Sequence, residues 1–162
     1  MFMVKDETAN QASCPMPDRR QRRDPAVDKT IKRILSESHV IAVVGCSREE
    51  GKPSHDVPAY LQSVGYKIIP VNPFADQILG VKAYKRLTDV EEPVDVVDVF
   101  RPSTEAAGIA RDAAVIHAKA LWLQEGITSE EAKSVAERSG MLFVMDRCMF
   151  KEHSKMSSQS TP

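Results

Sequence analysis

Val40-Ile41-Ala42-Val43-Val44-Gly45-Cys46-Ser47-Arg48-Glu49-Glu50-Gly51-Lys52-Pro53-Ser54 is the stretch on which the fold is decided. An apolar run ends in a glycine, a polar loop follows, and a helical pattern opens at Val57, Tyr60, Leu61 and Val64. Strand, glycine turn and helix start form the place where α/β proteins hold phosphate, because unpaired backbone N–H groups and the helix dipole converge there. The second and third glycine positions of a GxGxxG fingerprint are held by Ser47 and Glu50. The loop therefore predicts a phosphate site and argues against an ordinary NAD site.

Outward from this loop, strands and helices alternate. Val27, Ile31, Ile34 and Leu35 have the spacing of a short amphipathic helix, and Val40–Val44 reads as the first buried strand. Pro58 lacks an N–H and reads as a first-turn residue, so the next helix is predicted to begin shortly before it and run to about Val64, with Gly65 as its cap. Residues 66–71, 94–100, 120–123 and 141–145 read as four more buried strands, and 103–116 and 129–139 as helices. Residues 78–84 read as a loop with a short extended piece. The alternation predicts an α/β fold with a parallel sheet covered on both faces.

The 162 residues suit one domain, placed at 28–153 between polar segments 1–27 and 154–162 that are expected to be flexible tails. A net charge of −1 gives no global basic field for nucleic acid. The Arg19-Arg20-Gln21-Arg22-Arg23 cluster is nearly cancelled by Asp6, Glu7, Asp18 and Asp24, and reads as part of a solvated tail. No apolar run approaches the roughly 18 residues of a membrane span, and no secretory signal opens the chain. Three cysteines, at 14, 46 and 148, suit reduced thiols in a cytoplasmic protein rather than a disulfide framework.

In such a sheet a ligand lies beyond the carboxyl ends of the strands. Those ends carry Gly45-Cys46-Ser47, Asn72-Pro73, Phe100-Arg101-Pro102, Gln124-Glu125-Gly126 and Asp146-Arg147-Cys148. NAD-binding proteins usually place Asp or Glu about 20 residues past the glycines to hold the ribose hydroxyls. Asn72 stands there instead, and a neutral amide tolerates a phosphate on the ribose, which moves NADP or coenzyme A ahead of NAD.

Other chemistry is poorly supported. The four histidines and three cysteines lack metal-ligand spacing. Ser54-His55-Asp56 has the letters of a triad, but adjacent residues are expected to point apart. Cys46 and Cys148, both at the ligand edge, read as turn residues with a redox pair as the sharper alternative. Asp95 and Asp98 are three apart in a period-two strand and so face opposite sides.

Taken together, Gly45-x-Ser47, Gly51-Lys52-Pro53-Ser54, Pro70-Val71-Asn72-Pro73, Val99-Phe100-Arg101-Pro102, Leu121-Trp122-Leu123-Gln124-Glu125-Gly126 and Met145-Asp146-Arg147-Cys148-Met149 resemble the small stand-alone coenzyme A-binding proteins. These are similar to the CoA-binding domain of the succinyl-CoA synthetase α subunit. The resemblance covers about residue 28 to His153. It implies a Rossmann-like three-layer α/β/α sandwich with a five-stranded parallel sheet and with coenzyme A or acyl-CoA across the switch point.

By that carry-over Gly45, Cys46 and Ser47 lie against the ligand, and Lys52 and Ser54 help to hold phosphate. Val71, Asn72 and Pro73 border the adenosine end; Phe100 and Arg101 line the pantetheine side, which Gln124, Glu125 and Gly126 approach, and Arg147 is a further candidate. Ligase relatives carry their phosphorylatable histidine in a second domain, so the expectation is binding without acyl-CoA synthesis by this chain alone, with no catalytic residue assigned. An NADP-dependent oxidoreductase is the alternative, although Tyr84-x-x-x-Leu87 supplies no Tyr–Lys pair. A CoA-binding subunit of a larger ligase or transferase is another, which leaves a partner enzyme or a homo-oligomer open.

Overall fold

The structure is a computed structural model that describes residues 24–160. Its main sheet is built from β1 (Val40–Val44), β2 (Lys67–Val71), β5 (Val96–Val99), β6 (Ala120–Leu123) and β7 (Leu142–Val144), in the spatial order β2-β1-β5-β6-β7. Every pairing between neighbours is parallel. Helices α1 (Pro25–Glu37), α2 (Pro53–Ser63) and α5 (Met149–Gln159) cover one face, while α3 (Ser103–Val115) and α4 (Glu130–Arg138) cover the other. This is the Rossmann-like three-layer sandwich that the resemblance implied.

Alternation along the strands makes the two cores. Ile41, Val43, Ile68, Val96 and Trp122 pack with Ile34, Leu61 and Met149, whereas Ala42, Ile69, Val97, Val99 and Leu121 meet the small residues Ala106, Ala110 and Ala113 of α3. Alanines let α3 lie close to the sheet, and its end turns left-handed at His117 (φ 56°), where the Ala118 N–H closes on the Ala113 carbonyl at 3.0 Å. Asp95 ends up at the amino end of its strand. Its carboxylate accepts the His39 and Val40 N–H groups at 2.8 and 2.9 Å and pairs with Lys119 at 3.0 Å.

Four elements differ from the sequence reading. Helix α2 starts at Pro53, and Pro58 lies inside it. Where 78–84 reads as a loop with a short extended piece, residues 77–82 form a hairpin of β3 (Gln77–Ile78) and β4 (Val81–Lys82), turned at Leu79 and Gly80, both at positive φ. Helix α1 begins at Pro25, capped by the Asp24 carboxylate, so the amino-terminal segment is helical slightly earlier than 28. The segment after His153 is not an irregular tail as far as Gln159: it completes α5, which Met156 and the Tyr60–His153 hydrogen bond of 2.9 Å tie to the core. The Arg19–Arg23 cluster lies outside the described residues. No helix among the described residues is long and apolar enough to cross a membrane.

Candidate functional site

The chain leaves β1 through α2 to reach β2, then returns to the opposite side of β1 to form β5. The reversal opens a crevice above the carboxyl ends of β1, β2 and β5, the place where open α/β sheets take ligands. Gly45 makes the crevice possible. Its φ is +84°, and a side chain there would stand 3.0 Å from the Phe100 carbonyl oxygen and 2.8 Å from Cδ of Arg101. The Gly45 N–H meanwhile donates to the Val71 carbonyl at 3.0 Å. Three loops thus meet at one residue without a Cβ.

The loop after Gly45 is held from within. The Ser47 N–H donates to the Ser54 carbonyl at 3.0 Å, the Ser47 hydroxyl oxygen accepts the Glu49 N–H at 3.1 Å, and the Gly51 N–H donates to the Asp56 carboxylate at 3.0 Å. Lys52 opens α2 and pairs with Glu49 at 2.6 Å. Against expectation His55 and Asp56 do meet, at 3.1 Å, because Asp56 turns back along the first helical turn. That contact shares an exposed capping carboxylate with Gly51, and no serine enters it.

Asn72 stitches the second loop to the first. Its Nδ2 donates to the Cys46 carbonyl at 2.9 Å, and its Oδ1 accepts the Phe74 N–H at 2.8 Å. The amide therefore ties the two loops together. On the other bank, Arg101 forms a bidentate pair with Glu105, at 2.7 and 3.0 Å. Those hydrogen bonds hold the Glu105 carboxyl below the usual range, so the pair is ionised at neutral pH.

The resulting cleft has a volume of about 560 Å³. Gly45, Cys46, Ser47, Lys52, Ser54, Val71, Asn72, Pro73, Phe100 and Arg101 line it, which brings together every site residue expected from the first three strand ends. Sequence reasoning missed Phe74, Lys85, Arg86 and the α3 residues Ile109 and Asp112. The signal for the first three was the run from Asn72 to Leu87, whose hairpin folds back so that Tyr84 bridges Val71 and carries Lys85–Arg86 to the cleft.

Gln124, Glu125, Gly126 and Arg147 do not line this cleft. Gln124 is buried; its Nε2 donates to Asp98 at 2.7 Å and its Oε1 accepts the Met149 N–H at 3.3 Å. Glu125 pairs with Lys151 at 2.7 Å, the Gly126 N–H donates to Asp146 at 2.7 Å, and the Arg147 carbonyl accepts the Trp122 indole N–H at 2.8 Å. These groups order the neighbouring loops, farther along the same sheet edge.

Cys46 borders the cleft but is fully buried. Its thiol is fully buried among core residues, and burial together with nearby Asp98 pushes its pKa up to about 12. A thiol held protonated in this way is a packing group rather than a nucleophile. Asp98, between Val43 and Trp122 in the sheet, is fully buried with one carboxylate oxygen unpartnered; burial pushes its pKa up to about 7 against the effect of the Gln124 amide. Among the described residues no cluster of three or more His, Cys, Asp or Glu side chains is placed to hold a metal ion.

Fold and cleft together define a Rossmann-like domain with a crevice at its switch point. Residues 39–154 match the CoA binding domain family, and the chain belongs to that family. The chain is 42% identical over 123 residues to the Bacillus subtilis protein YneT, an alignment covering 76% of this chain and 91% of that protein. Its fold matches that of cell-free ID.343 from Thermus thermophilus with a TM-score of 0.75 and 35% identity, over 80% of this chain and 98% of the other. It is also 34% identical over 71 residues to an ADP-forming acetate–CoA ligase of Methanocaldococcus jannaschii, covering 44% of this chain but 10% of the ligase. The domain is thus related to the CoA-binding part of ADP-forming ligases.

Proposed function

We propose that the cleft binds coenzyme A or an acyl-CoA and that the chain alone does not make the thioester. The observation that supports this best is the convergence of Gly45–Ser47, Lys52, Ser54, Val71–Pro73 and Phe100–Arg101 on one crevice. These residues carry the family resemblance, yet they come from four separate segments of sequence.

The ligand's pyrophosphate sits over β1, against the loop from Gly45 and the start of α2, where Lys52 and Ser54 add a cation and a hydroxyl. Its adenosine end lies over β2, beside Val71–Pro73. The pantetheine arm runs over β5, past Phe100 and the apolar stem of Arg101, toward the loop Gln124–Gly126 after β6. The strand order β2-β1-β5-β6 gives this path a continuous edge. The chain's own groups bind and orient; Asp98 and Cys46 are too deeply buried to serve as acid, base or nucleophile toward a ligand in the cleft.

Native mass spectrometry of gently purified protein tests the reading. Retained coenzyme A, or its uptake on addition, is the expected result. Absence of any adduct at saturating coenzyme A contradicts it.

A further inference from the structure

The four cations that line the cleft are not equally engaged. Lys52 is 2.6 Å from Glu49, Lys85 is 3.0 Å from Asp76, and Arg101 holds Glu105 with two hydrogen bonds of 2.7 and 3.0 Å. Arg86 differs. Its nearest carboxylate, on Asp89, is 3.7 Å away, outside hydrogen-bond reach, and its side chain is 80% exposed. The guanidinium fork of Arg86 is therefore available to an incoming anion, while the other three cations already hold carboxylates.

An aromatic ring lines the same cleft. Phe74 is 84% exposed, yet its backbone is fixed by the hydrogen bond from its N–H to the Asn72 amide oxygen at 2.8 Å. A solvent-exposed ring on a backbone held beside the cleft offers a face on which a base can stack. Lys85 and Arg86 enter the cleft directly after Tyr84, whose N–H donates to Pro70 and whose carbonyl accepts the Asn72 N–H, both at 2.9 Å. The ring and the free cation are thus carried by segments clamped to the end of β2.

We propose that Phe74 and Arg86 form a subsite for a 3′-phosphoadenosine group, the purine stacking on Phe74 and the phosphate monoester on the ribose pairing with Arg86. A monoester carries more charge than either phosphate of the pyrophosphate bridge, and a planar guanidinium matches it with two parallel hydrogen bonds. The subsite makes this cleft selective for coenzyme A over the same molecule without its 3′-phosphate. The inference rests on the proposed coenzyme A function and adds the part of the ligand that is discriminated.

Titration calorimetry with coenzyme A and dephospho-coenzyme A, on the full chain and on the variants Arg86→Ala and Phe74→Ala, tests it. The unaltered protein is expected to prefer coenzyme A by about tenfold or more. Arg86→Ala is expected to abolish that preference while leaving dephospho-coenzyme A affinity within about twofold. Phe74→Ala is expected to weaken both ligands alike, by about tenfold, as loss of a stacking face does. Preference retained in Arg86→Ala, or unchanged binding in Phe74→Ala, overturns the subsite while leaving coenzyme A binding intact. Failure of the unaltered protein to bind either ligand overturns both readings.

Discussion

The Ser47 N–H donates to the Ser54 carbonyl across the cleft loop at 3.0 Å, and Pro58 is the reason that carbonyl is free. In a regular helix the residue at 58 would donate its N–H to the carbonyl of residue 54. Proline has none to give. The acceptor left over in the first turn of α2 takes the Ser47 N–H and fastens the loop that begins at Gly45.

Pro58→Ala therefore has opposite effects on stability and on binding. The helix gains a donor and loses a proline, which raises unfolding free energy by about 1–3 kcal/mol. The new N–H competes for the Ser54 carbonyl, loosens Ser47, and weakens coenzyme A several-fold. Chemical denaturation and calorimetry on the same variant read both effects; unchanged affinity would separate Pro58 from loop geometry.

Gly45→Ala tests the meeting of the three loops. The added methyl faces the Phe100 carbonyl at 3.0 Å and the Arg101 stem at 2.8 Å, on a backbone with φ +84°. The strain costs about 1–3 kcal/mol of stability. Binding should be lost while the circular dichroism spectrum stays that of an α/β protein. A variant that binds normally would show that the loops need not close so tightly.

Lys52→Ala removes the proposed phosphate contact and takes the ion-pair partner from Glu49. Exposed ion pairs contribute little to folding, so stability should change by no more than about 1 kcal/mol. Affinity for coenzyme A should fall about tenfold, and its dependence on salt should become shallower. Equal affinity and equal salt dependence would take Lys52 out of the site.

Burial of Asp98 makes a pH-dependent contribution to stability whose sign follows from its raised pKa. Its carboxyl ionises near 3.8 when unfolded and at about 7 in the folded core, so the folded state holds an extra proton between those values. This contribution to stability is fully present below about 4, falls as pH rises, and is lost above about 7. Asp98→Asn keeps an oxygen for the Gln124 amide and removes the buried charge, so its decline over that window should be absent. Urea unfolding at pH 5 and pH 8 measures the difference, and parallel declines in the two proteins would exclude Asp98 as the source.

The main sheet was legible because buried parallel strands are continuous apolar runs, as in Val40–Val44 and Ala120–Leu123. The β3–β4 hairpin was not. Leu79 takes a left-handed turn position usually given to Asn or Gly, and its packing against the core offsets the strain. Pro58 misplaced the start of α2 because the local rule assumes that the acceptor in the preceding turn needs its helical donor, whereas here that acceptor serves Ser47. Polar α5 reads as tail in sequence because its reason to be helical is tertiary: Met149, His153 and Met156 dock on the core and on Tyr60.

The site followed the same division. Residues directly after β1, β2 and β5 could be read from strand ends, and they do meet. Lys85 and Arg86 could not, because their placement depends on the unread hairpin, whereas Phe74 directly follows the Asn72-Pro73 turn and lay within reach of the same strand-end reading. Gln124 carries a ligand-like residue type but spends its amide on Asp98 and Met149, a commitment visible only in three dimensions.

Parallel calorimetric titrations of the full chain with coenzyme A and with NADPH test the central claim most directly. Saturable binding of coenzyme A with little or no response to NADPH is the predicted result. Tight NADPH binding with no response to coenzyme A would contradict it.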